Sequence, residues 1–451
     1  MQRPLRVAVV GAGPSGLYAA DALSSQQQVA VEVDLMDRLP VPFGLVRYGV
    51  APDHLSLRGV RDTLGHVMER EQVRFLGGVE VGENLSIEDL RRHYDAIVLT
   101  YGAARDRALG IPGEDLAGSI AATDLVNWYC GHPDAPRELI ESALQGVTSV
   151  VVIGVGNVAV DVTRVLAKTL AELEHTDMPQ HVLDVLSATT ITDVHVLGRR
   201  GPAQASWTTK ELKELGELTD VEVVVDADPE QLMQEGLERL SARNLQVLQE
   251  FSARESTGEP HRIHLHFCAR PVALNGTDRV DSVEVERTTL DAAGNASGTG
   301  ELWQLPAQLV VRSVGYRGVA LAGVPFDDRR HVIPNSDGRV LDGDAVAPGL
   351  YVAGWIKRGP SGIIGTNKKD ASATVASLLA DVAAGTLPQA AEPDQATWDA
   401  LLKGRGVTVI DHSGWRAVDA SERALGESRG RVRTTIHDRA DLINAASHAG
   451  N

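Results

Sequence analysis

Two glycine-rich turns carry the chemistry this sequence can do. The first reads R-V-A-V-V-G-A-G-P-S-G from Arg6 to Gly16, so that Gly11, Gly13 and Gly16 form G-x-G-x-x-G. The first glycine of that spacing permits a tight turn. The second lets the backbone approach a pyrophosphate, and the third lets helix pack on strand. Asp37 follows 21 residues after Gly16, where a carboxylate takes ribose hydroxyls. The second turn, V-V-V-I-G-V-G-N-V-A from Val150 to Ala159, repeats the spacing with Gly154, Gly156 and Ala159. It implies a second nucleotide site, not half of the first. Its ribose end reads Gly198-Arg199-Arg200. Guanidiniums cannot accept from a 2′-hydroxyl, but they grip a 2′-phosphate through paired charge-assisted bonds. The second nucleotide is therefore expected to be NADPH rather than NADH. A solvated basic turn is the plain alternative.

Each turn needs a strand before it and a helix after it. Val7, Val9 and Val10 supply a buried β-branched run, residues 17–23 a helix and residues 29–36 the next strand. Amides and dipole at such a helix start hold phosphate without a cationic side chain. Around the second turn, 160–174 reads as helix and 191–197 as strand. Between the two units of pattern, 39–54 holds prolines 40, 42 and 52 and glycines 44 and 49, which exclude regular structure. Residues 55–70 read as helix, 73–81 as strand, 87–93 as a short helix and 95–100 as a buried strand. The stretch 220–308 is polar and uneven, with strands expected at 221–225, 261–268 and 280–287 and a helix at 231–250. Residues 309–314 echo 97–102, and the pair reads as the crossings out of and back into the first domain. The expected fold is α/β: two Rossmann-like three-layer domains, with 104–316 inserted between 1–103 and 317–386. Residues 349–355 should form a strand, 371–384 an alanine-rich helix, 385–394 a linker and 398–451 short helical pieces, with 387–451 as an extension packed on the first domain.

Composition narrows the class. The 43 basic against 61 acidic residues give a net charge of −18, which argues against nucleic acid and requires a local basic patch if an acidic protein is to dock. Cys130 and Cys268 are too few and too far apart for a metal site or a C-x-x-C pair, so no metal is expected. No apolar run approaches the roughly 20 residues of a membrane helix, and the N-terminus enters a strand with no apolar signal core. A cytoplasmic protein without membrane insertion is expected.

Five segments together resemble the ferredoxin–NADP reductases of adrenodoxin reductase type, most closely their bacterial branch. They are V-V-G-A-G-P-S-G, P-V-P-F-G-L-V-R-Y-G-V-A-P-D-H, G-V-G-N-V-A-V-D-V-T-R, L-G-R-R-G-P-A-Q-A-S-W-T-T-K-E-L and A-G-W-I-K-R-G-P-S-G-I-I-G-T-N-K-K-D-A, in family order between residues 7 and 371. The resemblance implies an FAD domain with an inserted NADP domain. It implies FAD contacts at Gly11, Ala12, Gly13 and Gly16, at Asp37, Leu45, Val81 and Trp355, and along Gly362, Ile363 and Ile364. It implies NADP contacts at Val155, Gly156, Asn157, Val158, Arg199, Arg200, Glu211 and Gly362. Asp37 stands where the family usually has glutamate. Trp355 stands where related flavoproteins place aspartate, which separates this chain from them.

The implied activity passes electrons from NADPH through FAD to ferredoxin, an acidic iron–sulfur carrier, one at a time, and onward to a haem mono-oxygenase chain. A flavin joins the two-electron and one-electron regimes, so no side-chain nucleophile is required. The resemblance puts His54 and Glu211 near the nicotinamide and flavin, with orientation and proton handling as their roles. Plainer readings remain for each residue. Asp53 fits an N-cap, which would leave His54 a surface first-turn residue. Thr208-Thr-Lys-Glu211 fits a capping box, and Trp355 fits simple packing. Arg239 with Arg243, or Lys357, Arg358, Lys368 and Lys369, could face the acidic carrier. Rival readings are a disulfide reductase, which lacks its cysteine pair, an electron-input subunit of a larger reductase, which would carry a cysteine-rich segment ahead of Cys130, and a non-enzymatic FAD/NADP-binding sensor.

Overall fold

The β-branched run after Arg6 forms the strand Leu5–Val10, buried from Arg6 onward. It pairs in parallel with Val31–Asp37 on one side and Ala96–Leu99 on the other. This computed structural model describes residues 3–362 and 364–448. The strand lies within a seven-stranded sheet whose order is Asn335–Ser336, Arg339–Asp342, Ala345–Val352, Ala96–Leu99, Leu5–Val10, Val31–Asp37 and Val73–Gly77. The helix Pro14–Ser25 packs against Ile364–Ala384 and on the sheet, burying Leu17, Ala19, Ala20 and Leu23 completely. Another part of the core joins Leu76, Ile97, Leu99, Leu350 and Val352 to Trp398 and Leu402 of the helix Gln395–Gly404. Tyr94 meets the Trp398 ring edge-on at 5.0 Å.

The chain divides into two compact units. One comprises residues up to 50, 54–105 and from 316 onward. The other comprises 51–53 and 106–315. The second unit holds a six-stranded parallel sheet in the order Ser119–Ala121, Leu309–Arg312, Ser149–Ile153, Asp193–Gly198, His261–Phe267 and Val221–Asp226. An antiparallel sheet of Ala269–Asn275, Ser282–Leu290 and Ala296–Pro306 shares a core with Val151, Ile153 and Leu197.

Several elements differ from their expected extents. The expected helix 55–70 breaks near Gly59 and Gly65 into Leu55–Arg58, Val60–Gly65 and a 3-10 turn His66–Glu69, because glycine weakens helix interiors. The expected helix 231–250 is interrupted: Gly236 lies at φ +74°, and the helix Arg239–Ser252 begins beyond it. The helix after the second turn spans Asn157–Ala167. Lys168 is extended, and Thr169 opens the separate turn Leu170–Leu173 with a full Thr169/Glu172 capping box. The T-x-x-E signal for that break was in the sequence. The strand expected at 73–81 stops at Gly77, and Gly78 turns at φ +81°. The alanine-rich helix starts at Ile364, and the C-terminal region holds a 16-residue helix, His412–Glu427, rather than short pieces only.

Candidate cofactor cradles and the buried charges beside them

At the first turn, Gly11 has φ +109°, and a Cβ there would lie 2.8 Å from the Thr100 carbonyl oxygen. A Cβ on Gly16 would fall 1.8 Å from the Gly11 oxygen, so helix and strand approach as closely as only glycine allows. Gly13 is different: an added Cβ would meet nothing nearer than Gly44 Cα at 3.8 Å. The helix Pro14–Ser25 begins at Gly13 with no side-chain cap and no acid in its first turn. That is an anion-accepting helix start with room in front of it. Asp37 is half-buried, and its two oxygens accept from Ala12 N–H at 2.8 Å and Leu39 N–H at 2.9 Å. Burial outweighs those two bonds and lifts its carboxyl above the ordinary aspartate value. Each oxygen keeps lone-pair capacity for a further donor such as a ribose hydroxyl.

Other residues of the first set gather at this helix start. Phe43 N–H donates to the Ala12 oxygen at 2.8 Å, which brings up the turn Leu45–Tyr48, headed by half-buried Leu45. Gly354, just before Trp355, is so close to Ser15 that a Cβ would lie 2.2 Å from its hydroxyl oxygen. Ser15 in turn donates to Asn367 Oδ1 at 3.0 Å, fixing the helix Ile364–Ala384 there. Trp355 is half-buried, its ring 5.4 Å from that of Tyr316. Gly362 is exposed with φ +82°, and Ile364 is half-buried. Ile363 lies outside the described residues. Val81 is half-buried and packs against the hydrophobic core. Lys357 is paired with Asp370 at 2.8 Å, and Arg358 donates to Asn367 Oδ1 at 2.7 Å, whereas Lys368 and Lys369 are exposed.

The second turn repeats the geometry. Gly154 has φ +130°, with its missing Cβ 2.2 Å from the Ser313 oxygen. A Cβ on Gly156 would meet nothing nearer than Ser206 Oγ at 3.6 Å. The helix Asn157–Ala167 starts without a side-chain cap or a first-turn acid. Ser206 N–H donates to the Val155 oxygen at 2.9 Å, and Thr208 N–H to Asn157 Oδ1 at 2.8 Å, so residues 206–208 brace the turn. Val155 to Val158 are half-buried. Arg199 and Arg200 are exposed, but their backbone is anchored: the Arg199 carbonyl accepts from Thr288 Oγ1 at 2.8 Å and that of Arg200 from Cys268 N–H at 3.0 Å. The guanidiniums thus project from a fixed strand end, as a 2′-phosphate grip requires.

Two plain readings fail on local geometry. Asp53 does not cap the following helix, whose N-cap residue is His54 with no side-chain cap bond. Nor is His54 a surface residue, being 8% exposed. Asp53 instead faces Arg164, a wholly buried guanidinium on Asn157–Ala167. Arg164 Nε and Nη2 reach Asp53 at 2.6 and 3.0 Å, and Nη2 reaches Asp161 at 2.7 Å. Nη1 is 3.4 Å from both Glu211 and Glu214, and Lys168 adds a 2.8 Å bond to Asp53. Burial would raise the Asp53 carboxyl, but Arg164 and Lys168 outweigh it and hold it well below the carboxylate range. The capping box at Glu211 is only half made. Its N–H meets Thr208 Oγ1 at 3.5 Å, while Thr208 N–H is taken by Asn157 and the buried Glu211 carboxylate turns to Arg164. Sequence reasoning missed Arg164, Asp161 and Lys168. The D-x-x-R spacing, which pairs residues on one helical face, was the available signal.

Two units, each with a parallel sheet and a glycine turn opening an uncapped helix, define a two-site dinucleotide-binding α/β protein. Residues 5–363 match the family model described as pyridine nucleotide-disulphide oxidoreductase. The chain is 41% identical to NADPH-ferredoxin reductase FprA of Mycobacterium tuberculosis, over 98% of this chain and 99% of that protein. It is 38% identical to the mitochondrial NADPH:adrenodoxin oxidoreductase of Arabidopsis thaliana, over 99% and 96%. The solved structure of M. tuberculosis FprA in complex with NADPH matches with a TM-score of 0.92 and 40% identity, covering 99% of this chain and 100% of that one. The chain belongs to the pyridine nucleotide-disulphide oxidoreductase family, in the branch of these NADPH-ferredoxin and adrenodoxin reductases. The resemblance read from the motifs and the two-domain α/β class are thereby borne out. Among the described residues no helix is long and apolar enough to cross a membrane.

Proposed function

We propose that this chain is an FAD-dependent NADPH–ferredoxin reductase. The carrying observation is a second uncapped cradle ending in two outward guanidiniums, in a chain alike over nearly its whole length to an NADPH-ferredoxin reductase. The overall balance is NADPH plus two oxidised carriers going to NADP⁺, two reduced carriers and one proton. When bound, FAD supplies the conversion of a hydride into single-electron steps.

In this reading residues 1–103 and 317–386 hold FAD. Their holding residues are Gly11 to Gly16, Asp37, Leu45, Val81, Trp355 and 362–364. Residues 104–316 hold NADPH through Val155 to Val158, Arg199, Arg200 and Glu211, and residues 387–451 brace the FAD domain. The room over Gly13 and over Gly156 supports a pyrophosphate at each. His54 and Glu211 orient the nicotinamide and handle the released proton, with Arg164 as the positioning residue that holds the Glu211 carboxylate. The carrier is an acidic iron–sulfur protein, met by exposed Arg239 and Arg243 or by Lys368 and Lys369; the internal pairing of Lys357 and Arg358 favours the others. That Cys130 and Cys268, both buried, form no disulfide supports a reducing, cytoplasmic setting.

The test is NADPH oxidation by the FAD-loaded protein against a panel of ferredoxins and ferricyanide. Ferredoxin reduction is expected. Activity with ferricyanide alone would favour an electron-input subunit, and activity with neither would favour a sensor. In stopped flow, His54→Gln and Glu211→Ala should slow hydride transfer, and wild-type rates in both would remove them from the site.

A further inference from the structure

Cysteine spacing predicts no metal site, but the sheet of the second unit assembles histidines from two strands. His195, on Asp193–Gly198, stands in register with His264, on His261–Phe267. Asp193 and His266 are two residues along their strands and so share that face. The His195 ring stacks on His264 at 4.3 Å and 17°, and on His266 at 5.3 Å and 27°. His195 Nδ1 is 3.0 Å from His266 Nε2, and His264 Nε2 is 2.9 Å from Asp193 Oδ1. One ligand atom each of Asp193, His195 and His264 lies within 4.8 Å of the others. All four residues are half-buried.

We propose that Asp193, His195, His264 and His266 form a binding site for one divalent transition-metal ion of the zinc class. Three imidazole nitrogens and one carboxylate oxygen suit Zn²⁺, Ni²⁺ or Cu²⁺, whereas Ca²⁺ and Mg²⁺ want oxygen throughout. Tetrahedral bonds of about 2.0–2.1 Å set ligand atoms about 3.3 Å apart; the 3.0 and 2.9 Å pairs are near that spacing, and metal entry turns the three rings out of their stack so that their in-plane lone pairs converge on the ion.

The outer groups are built for it. Asp226 Oδ2 lies 2.8 Å from His266 Nδ1. That bond places the proton on Nδ1 and aims the Nε2 lone pair inward, the carboxylate–histidine support common behind metal ligands. Arg262 Nε, 3.0 Å from Asp193 Oδ1, orients the carboxylate.

The test uses tag-free, FAD-loaded protein, dialysed against chelator and then titrated with Zn²⁺ alone in competition with a chromophoric chelator. One site per chain is expected, with a rise in Tm. His264→Gln and His266→Gln should each lower affinity at least about 10-fold, and Asp226→Asn about 10-fold. His66→Gln, at an exposed histidine, should leave it unchanged. Absence of a site, or the parent protein's affinity retained in both ligand variants, overturns the proposal. Should the variants not fold, zinc-edge X-ray absorption on the parent protein decides: a first shell with imidazole scattering supports the site, and an all-oxygen shell overturns it.

Discussion

At the scale of single residues, Arg164 sets the strictest conditions. A guanidinium 1% exposed survives in the interior because Asp53, Asp161, Glu211 and Glu214 surround it. Removing one partner of such a set leaves charge buried and uncompensated, which costs about 3–5 kcal/mol. Arg164→Met should therefore lower stability by about that amount in urea titration, and it should also slow flavin reduction by releasing Glu211. Arg199 makes the opposite case, since its side chain is exposed and its backbone already fixed. Arg199→Ala should leave Tm unchanged and weaken NADPH binding by about 1.5–3 kcal/mol, the range for bonds to charged groups. NADH, without a 2′-phosphate, should bind as before. Equal losses for both nucleotides would end the phosphate assignment.

At the scale of elements, the loop after Asp37 depends on a helix nearly 400 residues later in the chain. Phe43, strained at φ 85°, packs edge-on at 5.4 Å to Trp415 of His412–Glu427. Arg47, wholly buried, forms a two-point pair with Glu422, which also accepts from Arg433 at 2.7 Å and from Ile436 N–H at 2.8 Å. Glu422→Ala should cost about 3–5 kcal/mol, and Arg47→Met with Glu422→Leu should recover most of that loss in a double-mutant cycle. The same pair sets an acid limit. Burial alone would raise the Glu422 carboxyl, but Arg47 and Arg433 outweigh it and hold it below its ordinary value, as Arg164 and Lys168 do for Asp53. A depressed carboxylate contributes stability in full above its unfolded value of about 4 and loses it as pH falls through the folded value. Tm should thus stay level on this account above about pH 5 and fall below about pH 4. Glu422→Gln should flatten that fall. The two glycine turns were legible in the sequence because their signature is local: the β-branched strand, the spaced glycines and the next helix lie within about two dozen residues, even though Gly11 and Gly154 close against the distant Thr100 and Ser313 carbonyls. The Arg47–Glu422 pair was not, because neither residue carries a local sign of its partner.

At the scale of the whole molecule, a net charge of −18 repels an acidic carrier everywhere except at local basic patches. Arg239 and Arg243 are exposed on Arg239–Ser252. Ferredoxin reduction should fall steeply with ionic strength, and Arg239→Glu with Arg243→Glu should remove most of that dependence if the carrier docks there. A flat salt response in the parent protein would count against docking by charge altogether.

The sequence by itself determined the two dinucleotide turns, the order of their strands and helices, and the family, because glycine spacing and β-branched runs act over short stretches of chain. Only the tertiary structure decided which charges are buried together and which histidines stack. It decided too that Asp53 answers Arg164 rather than its own helix. These depend on strand register and helix docking between residues 47 to 375 positions apart, and no local propensity encodes such pairings.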